Sequence, residues 1–148
     1  MKNTIEIKNG FLLFIALGVY FLLMDALGFA NNAILRSFNA VLILYFINRT
    51  ITNKIESGST DFFEAYFAAL KTGAFAVLLS MIGLLVYVQF RGGEVFLKEL
   101  SGSLFFGRNL GIIPYVAALF FEGIASVVIG VFIIMQYRGK QLYNPKLD

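Results

Sequence analysis

The chain has 148 residues, enough for one compact unit spanning residues 1–148 and too few for a second domain. Apolar residues make up 59% and charged residues 14%, where soluble chains carry about half and a quarter, so the composition fits a bilayer rather than water. There is no Cys and no His, which excludes disulfides, thiolate nucleophiles, histidine-ligated haem, and the commonest zinc ligand and general base. The net charge of +3 comes from cations that flank apolar runs, which points to membrane topology and not to nucleic acid.

The first apolar run, Gly10 to Ala30, is long enough to cross the hydrocarbon core. A cleaved signal peptide is the rival reading, because Gly28-Phe29-Ala30 mimics a small-residue cleavage site; Asp25 inside that region argues for a retained span. Asn31-Asn32 form a short turn, and a second run, Ala33 to Ile51, follows, so the first two spans are expected to make an antiparallel hairpin. Residues 52–61 are polar. Asp61 and Glu64 fit a capping box that starts the third helix, whose membrane segment is expected over residues 66–90. Arg91-Gly92-Gly93 ends it. Residues 94–108 are too short and too polar to span, and are expected to include a short amphipathic helix lying in the interface. The last run, 109–137, spans with Pro114 in its first turns, where a missing amide costs least. The predicted fold is therefore an all-α membrane protein of four transmembrane helices, arranged as two antiparallel hairpins (spans 10–30, 33–51, 66–90 and 109–137).

Two stripes of small residues predict close helix packing. On the third helix they are Ala69, Gly73, Ala76, Ser80, Gly83 and Tyr87; on the fourth, Pro114, Ala118, Glu122, Ser126 and Gly130. Cations divide unequally between the two ends of the spans. Lys2, Lys8, Arg49, Lys54, Lys71, Arg138, Lys140 and Lys146 collect on one side, against Arg36, Arg91, Lys98 and Arg108 on the other. The first side, with both termini, is expected to be cytoplasmic.

Ionisable residues within a bilayer are costly, so each is a candidate site. Glu122 lies near the bilayer centre. No cation is expected at that depth, and an unpaired carboxylate there is expected to hold a proton. Tyr20, Asn39 and Ser80 fall at similar depth and complete a candidate polar layer, which serves either as a proton or substrate site or as hydrogen-bonded packing. Asp25 and Arg36 lie almost symmetrically about the first turn and are expected to form an intramembrane ion pair. Lys71 is expected to snorkel to headgroups, sharing a face with Glu64. Arg91, Lys98 and Arg108, interleaved with Phe96, Phe105 and Phe106, are candidates for lipid or partner contact. No metal spacing, phosphate loop, Ser/Lys dyad or dinucleotide fingerprint appears, and Glu122 has no second acid at its depth, so neither an enzyme nor a cofactor is expected.

The segments DFFEAYFAALKTGAFAVLLS and FFEGIASVVIGVFIIMQYRGK resemble those of a group of small four-helix membrane proteins of the Bacteroidota with no established activity. The resemblance implies a bacterial inner membrane and carries over no functional residue. Small multidrug exporters also have four spans and an embedded Glu, but theirs is on the first helix, so the pattern departs here. Three functions are compatible with the chain. One is a non-catalytic accessory or assembly subunit of a larger bacterial membrane complex, partnered by other subunits or its own copy. The second is a small proton-linked transporter or channel using Glu122. The third is a lipid-interacting protein.

Overall fold

The computed structural model describes residues 4–30, 32–58, 61–101 and 111–143, all of the regular structure in them helical. Helix α1 covers Thr4–Ala26, α2 Ala33–Ser37, α3 Asn39–Glu56, α4 Phe62–Phe90, α5 Glu94–Ser101 and α6 Ile112–Tyr143. Four stretches are long and apolar enough to cross a membrane: Thr4–Ala26, Ile34–Glu56, Phe62–Phe90 and Ile112–Gly139. Their outward faces carry large apolar side chains, as Ile7, Phe11, Ile15 and Val19 do at four-residue spacing along α1, which lipid accommodates and water does not.

The helix ends follow local chemistry. Asn32 caps α2, its side-chain oxygen accepting from the Ile34 and Leu35 amides at 3.0 and 3.2 Å. Asp61 caps α4 through the Phe63 amide at 2.8 Å, while Glu64 turns to Lys54 of α3 at 3.6 Å. After α1 the chain reverses at Gly28, whose φ of +75° is open to glycine without strain. The Phe29 amide there reaches back to the Met24 carbonyl at 2.8 Å, closing the helix end.

Four features differ from the sequence expectation. The second span is interrupted at Phe38 only in its hydrogen-bond ladder: Phe38 keeps helical angles (φ −64°, ψ −17°), but its amide bonds the Leu35 carbonyl and the Val41 amide bonds the Phe38 carbonyl in tight three-residue steps. Ser37 and Asn39, both weak helix formers, flank the break. Helices α1 and α3 extend beyond their apolar runs, to Thr4 and Glu56, because polar residues at those ends find partners inside the bundle. Helix α6 continues past Tyr137 to Tyr143.

Contacts set the relative directions of the helices. Glu6 meets Lys54 and Asn9 meets Thr50, so α1 and α3 are antiparallel. Gly10 lies against Thr72, and Asp25 against Tyr87 and Arg91, so α1 and α4 are parallel. Val127 fills the space over Gly73 and Val77 that over Gly123, a reciprocal pair that holds α4 and α6 antiparallel. Helices α3 and α4 each touch α1, α6 and one another, whereas α1 and α6 do not meet among the described residues. Leu13, Ile47, Ala69, Ala76, Val127 and Val131 form the main core. A second cluster, Val88, Phe96, Leu97, Leu100 and Tyr115, seats α5 against the ends of α4 and α6.

The small residues on α6 do not act as a single stripe. Gly130 meets Ile47 and Leu44 of α3, Val77 is received by Gly123 one position off the stripe, and Glu122 and Ser126 line a cavity. A four-residue repeat drifts by about 40° per step around an α-helix, so it cannot serve one neighbour over five positions.

A Cβ added at Gly73 would stand 2.3 and 2.6 Å from the two Cγ atoms of Val127, so the α4–α6 contact would have to shift. Gly73→Val is expected to cost about 1–3 kcal/mol of stability, read as a lowered Tm in detergent. Gly18→Ala, where nothing lies within 4 Å of an added Cβ, is expected to leave Tm unchanged or raise it.

Candidate functional site

The break in the second span builds one wall of the site. The Leu35 carbonyl accepts from the Phe38 amide at 3.1 Å and from the Tyr20 hydroxyl of α1 at 2.6 Å, so the irregular backbone is satisfied from within the bundle. Just before the break, Arg36 sends its guanidinium to Glu122 of α6 and forms an ion pair. Glu122 lies ten residues into α6, about 15 Å along its axis at 1.5 Å per residue. One turn on, the Ser126 hydroxyl donates to the Glu122 carbonyl at 2.8 Å.

These groups face a cavity of about 590 Å³ bounded by α1, the broken second span, α4, α6 and Leu100 of α5. Tyr20, Asn39, Ser80 and Glu122, the four residues of the candidate polar layer, all lie on its wall. The rest of the lining is mostly apolar and aromatic, including Phe14, Phe21, Met81 and Leu119. Asn39 Oδ1 and Ser80 Oγ are buried and have no hydrogen-bond partner among the described residues. Such atoms are costly to bury without a partner.

Two expectations from sequence are corrected here. Asp25 and Arg36 do not pair with one another. Asp25 accepts from the Tyr87 hydroxyl at 2.7 Å and from Arg91 at 3.0 Å, because α1 packs against α4 on that face, while Arg36 reaches α6. Nor is Glu122 without a cation. The depth argument placed Arg36 by its backbone, whereas its long side chain carries the charge deeper. The ground for expecting a proton on Glu122 in this state is thereby removed.

Of the proposed lipid-contact cations, Arg91 is occupied within the protein. Its guanidinium carbon stands 5.1 Å from the centroid of Phe96 and 6.0 Å from that of Tyr87, tying α5 to α4 and Asp25. Lys98 is exposed on α5, and Arg108, with Lys2 and Lys146, lies outside the described residues.

The opposite end of the bundle holds a polar network that the sequence reading left in the background. Lys54 Nζ lies 2.8 Å from Glu6 and 3.6 Å from Glu64, with the Lys54 and Glu6 side chains only 5% and 8% exposed. Beneath it the Asn9 amide donates to Thr50 Oγ1 at 3.0 Å, which is 3.2 Å from Thr72 Oγ1. Both threonines also bond the carbonyl four residues back in their own helix, at 3.0 Å. A visible signal existed in the spacing: Glu6 and Asn9, and Thr50 and Lys54, each share one helix face. Counting Lys54 as a flanking topology charge hid it. Packed core separates this network from the cavity.

The chain matches no protein-family model, no curated protein and no solved structure. Its chemistry must therefore be argued from the site alone.

Removing one partner of a buried pair leaves the other charge uncompensated. Lys54→Met is expected to cost about 3–5 kcal/mol in detergent unfolding, and the double variant Glu6→Leu/Lys54→Met to recover most of that loss.

Proposed function

We propose that this protein is a small transporter or carrier of the membrane, binding one small amphipathic molecule in the cavity within its helical bundle. The observation that carries this reading is the cavity itself. Its volume of about 590 Å³ falls in the range of about 300–1,000 Å³ typical of small-molecule sites, and it combines an apolar lining with a few convergent polar groups. The ion pair on the wall gives a guest something to bind beyond apolar contact.

The cation bias would place the cavity in the half of the bundle away from the cytoplasm, with both termini inside and α5 in the outer interface. The resemblance to inner-membrane proteins of the Bacteroidota would make that membrane a bacterial inner membrane. A cavity on one half, closed toward the other by the core of Leu13, Ile47 and Val131 and by the Glu6–Lys54 pair, is what one state of an alternating-access carrier presents. The accessory-subunit reading rests on small size, the absence of catalytic motifs, the small-residue stripes and the short α5 segment; of these, the stripe glycines Gly73 and Gly130 meet Val127 and Ile47 of the same chain.

Gly18 lines the cavity and has open space where a side chain would go. Gly18→Phe is expected to fill part of the cavity without disturbing the bundle. Native mass spectrometry of the protein released from mild detergent should find a small amphiphile retained by the wild type, with at least a tenfold lower bound fraction in Gly18→Phe. Equal retention in the two proteins counts against the cavity as the binding site.

A further inference from the structure

The Arg36–Glu122 pair gives the cavity a preference for the sign of its guest, and the reason lies in what each partner can do when the pair opens. The two charges sit on the wall of a largely apolar space, their side chains 17% and 32% exposed respectively. A charged guest that enters must take one partner from the other, in a medium that stabilises uncompensated charge poorly. A cation that took Glu122 would remove that carboxylate from Arg36. A guanidinium does not give up its proton in a protein, so its charge would persist. An anion that took Arg36 would strand Glu122, and a carboxylate has a remedy: it takes a proton and becomes neutral. Glu122 is also the more exposed of the two, placed to receive that proton, while the more buried Arg36 stays as the fixed half of the site.

We propose that the guest is an amphiphile with a single anionic head, that this head replaces Glu122 on Arg36, and that Glu122 takes up one proton as it is released. This rests on the reading of the cavity as a binding site. No covalent bond to carbon, oxygen or nitrogen of the guest changes. One anion enters, one proton passes from water to the carboxylate, and the cavity holds one positive and one negative charge before and after. The other titratable groups facing Glu122 do not upset this balance. Tyr20 of α1, Tyr87 of α4 and Tyr115 of α6 line the cavity, and Arg36 is the one cation lining it among the described residues. Asp25, toward the end of α1, does not line the cavity and is already held by Tyr87 and Arg91. The apolar body of the guest would lie against Phe14, Phe21, Met81 and Leu119. Anion and proton would then be bound together, so the loaded carrier has the same net charge as the empty one.

The test uses three ten-carbon probes on the full chain in a non-ionic detergent: decanesulfonate, which stays ionised at all working pH values, decanol and decyltrimethylammonium. Decanesulfonate is expected to bind at least tenfold tighter than the other two. In weakly buffered solution with an indicator dye, close to one proton should be taken up per decanesulfonate bound. Its affinity should fall by about tenfold per pH unit over the range where that uptake is complete. Glu122→Gln is expected to bind decanesulfonate without proton uptake and with no pH dependence. Arg36→Gln should lose it and Arg36→Lys restore part of it; should Arg36→Gln fail to fold, the Glu122→Gln measurement still decides. Repeating the titration in nanodiscs of phosphatidylcholine with and without phosphatidylglycerol separates the sources. Competition by phosphatidylglycerol assigns the head to an anionic lipid, and its absence assigns it to a free anion. Tighter binding of decyltrimethylammonium, or uptake that persists in Glu122→Gln, overturns the proposal while leaving the cavity as a binding site. Binding of none of the three probes overturns the cavity reading as well.

Discussion

A carboxylate and a guanidinium cannot both be carried into the interior of a bilayer bundle unless they meet. The ion pair between Arg36 and Glu122 is the contact around which the distal half of the molecule is arranged. Beside it the second span tightens at Phe38, and the Leu35 carbonyl, which accepts from the Phe38 amide, also takes the Tyr20 hydroxyl. Those contacts join α1, the second span and α6 around one charge pair, although α1 and α6 do not meet among the described residues. The space left between them is the cavity.

The proximal half is built on the opposite principle. Glycines and alanines let α4 approach α1, α3 and α6 closely, and valines from facing helices fill the spaces over Gly73 and Gly123. The helices there close on a dry core and are tied at their ends by Lys54 between two glutamates. At the other end Asp25, Tyr87, Arg91 and Phe96 fasten α5 to α1 and α4. The bundle is therefore tightly packed where it carries no cavity and pinned by charge at both ends. Any motion that opens or closes the cavity has to work around the proximal core as its fixed part.

With no related family to supply a chemistry, the functional argument rests on an asymmetry between two side chains. Arg is charged at every accessible pH, and Glu is not. The proposed exchange uses that difference: an external anion would replace the negative member of the pair at the expense of one proton, and the positive member has no equivalent remedy.

Much of this was legible in the sequence, and the limits of that legibility have a physical origin. Run length and composition determined four apolar helices, because crossing hydrocarbon requires about 20 residues whose backbone is satisfied within the helix. The Asp61 cap and the candidacy of Glu122, Tyr20, Asn39 and Ser80 followed from the residue types that a bilayer makes expensive. Partner choice did not follow. Asp25 and Arg36 are neighbours across a turn, yet each pairs elsewhere, since side-chain reach and helix rotation decide contacts that sequence separation does not encode. Lys54, which joins Glu6 and Glu64, was counted as a topology charge because a flanking Lys looks the same in sequence whether it faces headgroups or a neighbouring helix. The sequence by itself determined which residues must be satisfied inside the membrane. Only the tertiary structure decided which of them satisfy one another and where space was left, because those outcomes depend on how three or four helices face each other at once.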